Sequence, residues 1–167
     1  MIFGTSRIDM PLGRHSLYGY PFRNSVIVTL NKSFDSICFS EGNAMLLDDP
    51  YENLVRMCRH KLHWVVPLLN DLSTRVFDIL ISGGIPIVPE SLRAHPGIKC
   101  VHPDDILFYN VSDILNPHPL VISGIQLFDR NGCAGIARRF LTGWESHADC
   151  RLANALAIAR AQFLADV

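Results

Sequence analysis

Apolar and polar positions change period several times along this chain. SVIVTL (25–30) is a β-branched, apolar run closed by Asn31, and it predicts a strand. SICFS (36–40) predicts a second. The pattern then becomes helical in MLLDDPYENLVRMCRHKL. Asp49 stands at an N-cap, Pro50 at N1 and Glu52 in the first turn. Leu54, Val55, Cys58 and Leu62 share one face, so a helix is expected over about 50–62. HWVVPLL (63–69) reads as a strand ended by Pro67, and NDLS (70–73) as a polar turn.

Ser73 or Thr74 caps the helix that begins near Arg75, with Val76, Phe77, Leu80 and Ile81 as its inner face. Gly83 ends it and Gly84 is available for positive φ. IPIV (85–88) is a continuous apolar run of the kind that parallel strands show when both faces are covered. IKCV (98–101) predicts one more strand. Beyond HPDDILFY come helical segments around 119–129, 134–142 and 148–165, so 119–167 is mainly helical, whereas residues 1–25 read as irregular. Alternation of strand and helix predicts an α/β fold. It is one Rossmann-like domain over residues 1–167, with a parallel sheet, right-handed crossovers and a helical C-terminal tail.

Composition narrows the function classes. The chain has 167 residues, a net charge of −1, 49% hydrophobic and 19% charged residues. That is a folded domain with no global basic field, so nucleic acid is not an expected partner. No apolar run approaches the roughly 18 residues of a membrane span. The N-terminus has no basic region followed by an apolar one, so no signal peptide is expected. Five cysteines, at 38, 58, 100, 133 and 150, form no C-x-x-C pair. They read as free buried thiols in a reducing compartment, which implies a cytoplasmic protein. His60 and His63 are the one close histidine pair; no third ligand is spaced to complete a zinc site, so no metal is expected. G-x-S-x-G, the Walker phosphate loop and G-x-G-x-x-G are all missing from the sequence. Serine hydrolases, P-loop nucleotidases and standard dinucleotide oxidoreductases lose support accordingly.

The candidate chemistry sits on RVFDILISGGIPIVP (75–89). In open α/β sheets ligands bind at the carboxyl ends of strands, beside helix N-termini. The turn NDLST follows a strand and opens the helix, so its backbone N–H groups are placed to hold a phosphate. Arg75 adds a bidentate contact to a diphosphate. Asp78, three residues on, shares its face and accepts from ribose hydroxyls. The same Arg75 and Asp78 are also an ordinary i, i+3 surface pair of little energetic weight. Glu90 lies at a strand carboxyl end, where ligand contacts occur, and is equally placed to cap the next segment. Arg138 and Arg139 either neutralise phosphate or complement a helix C-terminus. Trp64, inside an apolar run, reads as core.

The segment STRVFDILISGGIPIVPESLRAHPGIKCVHPDDILFY resembles the nucleotide-sugar-binding half of GT-B glycosyltransferases. There a helix bearing an acidic residue runs into a small-residue turn and a Gly-x-Pro-Val/Ile strand. Arg75, Phe77, Asp78, Gly83, Gly84, Pro86 and Val88 match that pattern, and Asp104, Asp105 and Tyr109 resemble a later phrase of the same half. The likeness covers roughly residues 60–160. Asp78 departs from the more usual Glu by one methylene.

The resemblance implies a domain that binds a nucleoside diphosphate sugar for glycosyl transfer in polysaccharide or glycoconjugate synthesis. The sugar nucleotide is then the substrate, and no separate cofactor is needed. Ser73, Thr74 and Arg75 would hold the departing diphosphate and Asp78 the ribose, while Arg7, in the first loop, is either a further diphosphate contact or a solvated loop arginine. No catalytic base is identified. A complete enzyme of that superfamily has two Rossmann-like domains, and this length accommodates one. A fragment, a split subunit or a degenerate descendant is therefore implied, partnered by a second Rossmann-like chain or a second copy. The alternative is a non-catalytic α/β interaction module descended from such a domain.

Overall fold

The computed structural model describes residues 7–40, 49–69 and 71–165, with Pro50 and residues 147–165 as backbone only. The strands are β1 (Gly13–His15), β2 (Ile37–Phe39), β3 (Leu62–Trp64), β4 (Ile85–Pro89) and β5 (Leu107–Tyr109). The helices are α1 (Pro21–Asn31), α2 (Pro50–Cys58), α3 (Arg75–Ile81), α4 (Pro96–Lys99), α5 (Val111–Leu115) and α6 (His118–Ala165). Single 3-10 turns occupy Glu90–Leu92 and Pro103–Asp105.

All strand pairs are parallel: β1 with β2, and β3 with β4 and β5. The two ladders meet through parallel bridges, Leu12 opposite His63 and Ile8 opposite His60. Leu12 N donates to the Leu62 carbonyl at 2.9 Å, and Trp64 N to the Leu12 carbonyl at 2.8 Å. Read across, the order is β2-β1-β3-β4-β5, a doubly wound arrangement that reverses direction between β1 and β3. Right-handed crossovers on the two sides of that reversal put their helices on opposite faces. The core is accordingly split. Leu62, Trp64, Ile85 and Ile87 face α1, α5 and the start of α6. Val65 and Val88 face α2, α3 and the segment around α4. The fold class expected from the sequence is the one observed, and β4, buried from Ile85 to Val88, is a covered inner strand between β3 and β5.

Several local expectations differ from the structure. SVIVTL is helix, not strand. Arg23, Val26, Ile27 and Leu30 are buried at helical spacing, whereas Val28 is half exposed. Pro21 opens the helix, and the Ser25 and Thr29 hydroxyls donate to the carbonyls of Pro21 and Ser25 at 2.9 and 2.8 Å. IKCV is not a strand either: Ile98 and Lys99 end the short helix α4 and Cys100 is its C-cap, with Pro96 at N1 and the ring nitrogen of His95 accepting from Gly97 N at 3.1 Å. LFY (107–109), read only as part of a phrase, is the edge strand β5. Residues 7–25 are not irregular throughout, because they supply β1 and open α1; residues 1–6 lie outside the described set. The helical tail is one element with a single break at Gly132 (φ 48°, ψ −142°) in place of three segments. The expected helix over 50–62 stops at Cys58, and Leu62 joins β3.

Of the two glycines after α3, Gly83 both follows the helix end and takes the positive φ expected of Gly84. Gly83 takes the left-handed conformation, φ 77°, and lies against Ile136. Gly84 has a packing reason: a Cβ there would fall 2.6 Å from His63 Cδ2. Gly84→Ala is expected to cost about 1–3 kcal/mol in urea denaturation, because the buried imidazole has to shift. A loss below about 0.5 kcal/mol would show that the ring yields freely.

Candidate functional site

The reversal between β1 and β3 leaves a crevice at their carboxyl ends, where ligands of open α/β sheets bind. Two adjoining cavities, about 270 and 310 Å³, occupy it and share Ser73, Thr74 and Arg75. Strand β1 contributes Arg14 and His15, helix α1 Arg23, helix α2 Arg56, and helix α3 Arg75 and Asp78. Among the described lining residues, four arginines (Arg14, Arg23, Arg56 and Arg75) stand with two carboxylates (Asp71 and Asp78), so the described lining carries a cationic excess.

Two of these arginines are braced from below. Arg75 donates to the Arg14 carbonyl, tying α3 to the end of β1. Arg23 spans the switch point, donating through Nε to the Val66 carbonyl (2.9 Å) and through Nη1 to the Ser16 carbonyl (2.7 Å). Tyr18 stacks on it with 5.2 Å between guanidinium and ring centre. Burial pushes the Arg75 pKa down, and Arg23 adds to that; Asp78 and Tyr18 push it back. Burial, then Arg75 and Arg23, drive His15 well below the usual imidazole range, so His15 is neutral beside the cations.

The helix N-terminus is used differently from the expectation. Arg75 N donates to Ser73 Oγ at 3.3 Å, and the N–H groups of Val76 and Phe77 donate to the carbonyls of Ser73 and Thr74 at 3.0 Å. These are three of the four amides that a helix start leaves over, and each of the three is satisfied within the chain. The capping side chain is Ser73; Thr74 occupies the N-cap position with no side-chain bond. The groups this crevice offers from its described lining are therefore chiefly guanidinium and hydroxyl groups.

The structure brings Ser73, Thr74, Arg75 and Asp78 onto one crevice. It does not bring the other expected site residues there. Helix α3 runs antiparallel to the strands, so Gly83 and Gly84 lie at the amino end of β4. Arg7 is at that end too, reaching the His60 carbonyl at 3.4 Å and lying 5.4 Å from the Phe128 ring centre. Glu90 is exposed and pairs with Arg93, Oε2 accepting from Nη2 at 2.8 Å; it borders a neighbouring cleft. Arg14, Arg23 and Arg56 are the lining residues that spacing did not single out. They come from three elements joined only by the fold.

The basic pair Arg138–Arg139 serves the core. Asp105, fully buried, accepts from Arg138 Nε at 2.6 Å and Nη2 at 2.9 Å, and from Arg139 Nη1 at 3.0 Å. Neither arginine lines the crevice. Among the described residues no group of three or more His, Cys, Asp or Glu is arranged to hold a metal, and no helix is long and apolar enough to cross a membrane. Cys38, Cys58, Cys100 and Cys133 are free thiols, but only Cys58 is buried, so the expectation of buried thiols holds for one of these four; the Cys150 side chain lies outside the described residues.

The fold and crevice define a doubly wound α/β domain with a cationic cleft at its switch point. No protein-family model matches the chain, and neither a curated protein nor a solved structure does.

Proposed function

We infer that this domain binds a nucleoside diphosphate sugar and acts as the donor half of a glycosyltransferase of polysaccharide or glycoconjugate synthesis. The observation that carries the reading is the arginine-lined crevice at the β1/β3 reversal, with Asp78 one turn along from Arg75 on the same helix. A diphosphate is a compact polyanion, and guanidinium forks match its oxygens bidentately. A carboxylate beside such a cluster accepts from vicinal hydroxyls, which is the demand a ribose makes. In glycosyl transfer the diphosphate gathers charge as it leaves. Arg75, held by the Arg14 carbonyl, stabilises that charge without moving to do so. Ser73 and Thr74 add hydroxyl donors at the rim.

Calorimetric titration with UDP and GDP tests the reading. Micromolar binding is expected, weakened by about tenfold or more, or ~1.4 kcal/mol, in Arg75→Ala and in Arg56→Ala. Thermal melts of each variant separate lost binding from lost folding, since Arg75 also braces β1. No heat and no thermal shift with either nucleotide would overturn the donor reading and leave the interaction module standing.

A further inference from the structure

Beside the cationic crevice lies a second cleft, about 500 Å³, at the carboxyl ends of β3, β4 and β5. It opens between the N-termini of α1 and α5 and shares Arg23, Val66 and Pro67 with the crevice. Its floor is apolar and buried, with Val26, Val66, Tyr109 and Ile114 each at most 9% exposed. Its rim is apolar and open: Phe22 is 65% exposed, Leu69 71% and Val111 66%.

Of the polar side chains that line this cleft, Arg23, Glu90, Tyr109 and Asn110 already have partners within the chain. The Tyr109 hydroxyl donates to the Val65 carbonyl at 3.3 Å. Arg23 is held by the Val66 and Ser16 carbonyls. Glu90 is paired with Arg93. The Asn110 side chain accepts from Ser112 N at 3.0 Å and takes part in a capping box with Asp113. A nucleobase or a bare sugar brings polar edges all round, and the buried floor of Val26, Val66 and Ile114 offers them no side-chain partner. A hydrocarbon group brings none, and the volume falls in the range of small-ligand pockets.

We propose that the cleft between α1 and α5 seats the apolar aglycone, an alkyl or aryl group, of the molecule that receives the sugar beside the donor's diphosphate. The proposal rests on the donor reading above and adds a substrate class to it. The shared wall of Arg23, Val66 and Pro67 sets the two ligands side by side at one end of the sheet.

The test uses two sugar glycosides that differ only in the tail, methyl and n-octyl glucoside, the latter below its micelle threshold, with UDP titrated in parallel. Octyl glucoside is expected to bind at least about tenfold more tightly than methyl glucoside, the gain coming from burial of its methylenes. Val111→Asp and Phe22→Ser, both at exposed rim positions, are expected to remove that gain and leave UDP affinity unchanged. Equal binding of the two glycosides, or variants that keep the gain, overturns the proposal while UDP binding preserves the donor reading. Absence of UDP and GDP binding brings down both. Sedimentation is measured on the same samples. Self-association that Val111→Asp abolishes, with no octyl-dependent binding, assigns the cleft to a second copy of the chain and also overturns the proposal.

Discussion

Asp105→Ala lowers the stability of this domain by about 3–5 kcal/mol, the expected cost of leaving a buried cation without its partner. Asp105 and Arg139 are both fully buried, 3.0 Å apart. Arg139 also donates through Nε to the Gly83 carbonyl at 2.8 Å, so one guanidinium joins α6 to the turn that enters β4. Burial pushes the Arg139 pKa down to about 10, with Asp105 pulling against it. Without the carboxylate, burial acts alone on Arg139, and Arg138 loses both of its bonds to the same group. Urea denaturation of wild type and variant measures the difference. The double variant Asp105→Leu/Arg139→Met removes both charges and is expected to recover much of the loss, since apolar replacement of a whole buried pair is often near neutral. A single-variant loss below about 1 kcal/mol would mean that water or a local rearrangement takes over the carboxylate's place.

That triad shows where sequence reading stops. Asp105 and Arg139 are 34 positions apart, and nothing local marks either as buried. Charged residues are rarely inside, so a basic pair on a helix reads as a solvated or dipole-complementing feature. The parts that were legible are those in which local chemistry and tertiary demand agree. Asp49 caps α2, accepting from Tyr51 N at 2.9 Å, and Pro50 opens it. Gly83 stops α3, and the unbroken apolar run of β4 announces a strand covered twice. SVIVTL failed because β-branched content and helical spacing disagreed, and packing against Ile37 and Trp64 decided for spacing.

The crevice was half legible for a related reason. Ser73, Thr74, Arg75 and Asp78 are consecutive enough to be read as one unit. Arg14, Arg23 and Arg56 reach the same place only because the strand order reverses between β1 and β3. That reversal depends on a pairing of residues 8–12 with residues 60–63 that no local pattern encodes. Arg7 lies on the same N-terminal segment but at its other end. The parallel run of the chain past β3 carries it to the amino edge, away from Arg75.

The second large effect is acid lability. His63 is buried under Gly84, and its pKa is pushed down to about 3, first by burial and then by His60 and Arg7. His15 moves the same way, well below its ordinary value, through burial and the charges of Arg75 and Arg23. In the unfolded chain both imidazoles titrate near ~6.5. Below that pH the unfolded state takes up protons that the folded state refuses, so stability falls as pH falls. Above it both states are neutral at these positions, and neither histidine contributes a slope. The window runs from about 6.5 down toward the folded pKa of about 3.

Each histidine contributes about 1.4 kcal/mol per pH unit once its unfolded form is fully charged. Together they are expected to give a slope near ~2.7 kcal/mol per unit around pH 5, before most carboxylates titrate. Urea midpoints between about pH 7.5 and pH 5 read that slope directly. His63→Gln, which keeps a polar planar group of similar reach, is expected to lower neutral-pH stability modestly and to halve the slope. A wild-type slope near zero across this interval would mean that His15 and His63 accept protons in the folded state. Their burial would then relax on charging, and the crevice wall that His15 forms beside Arg75 would open in mild acid.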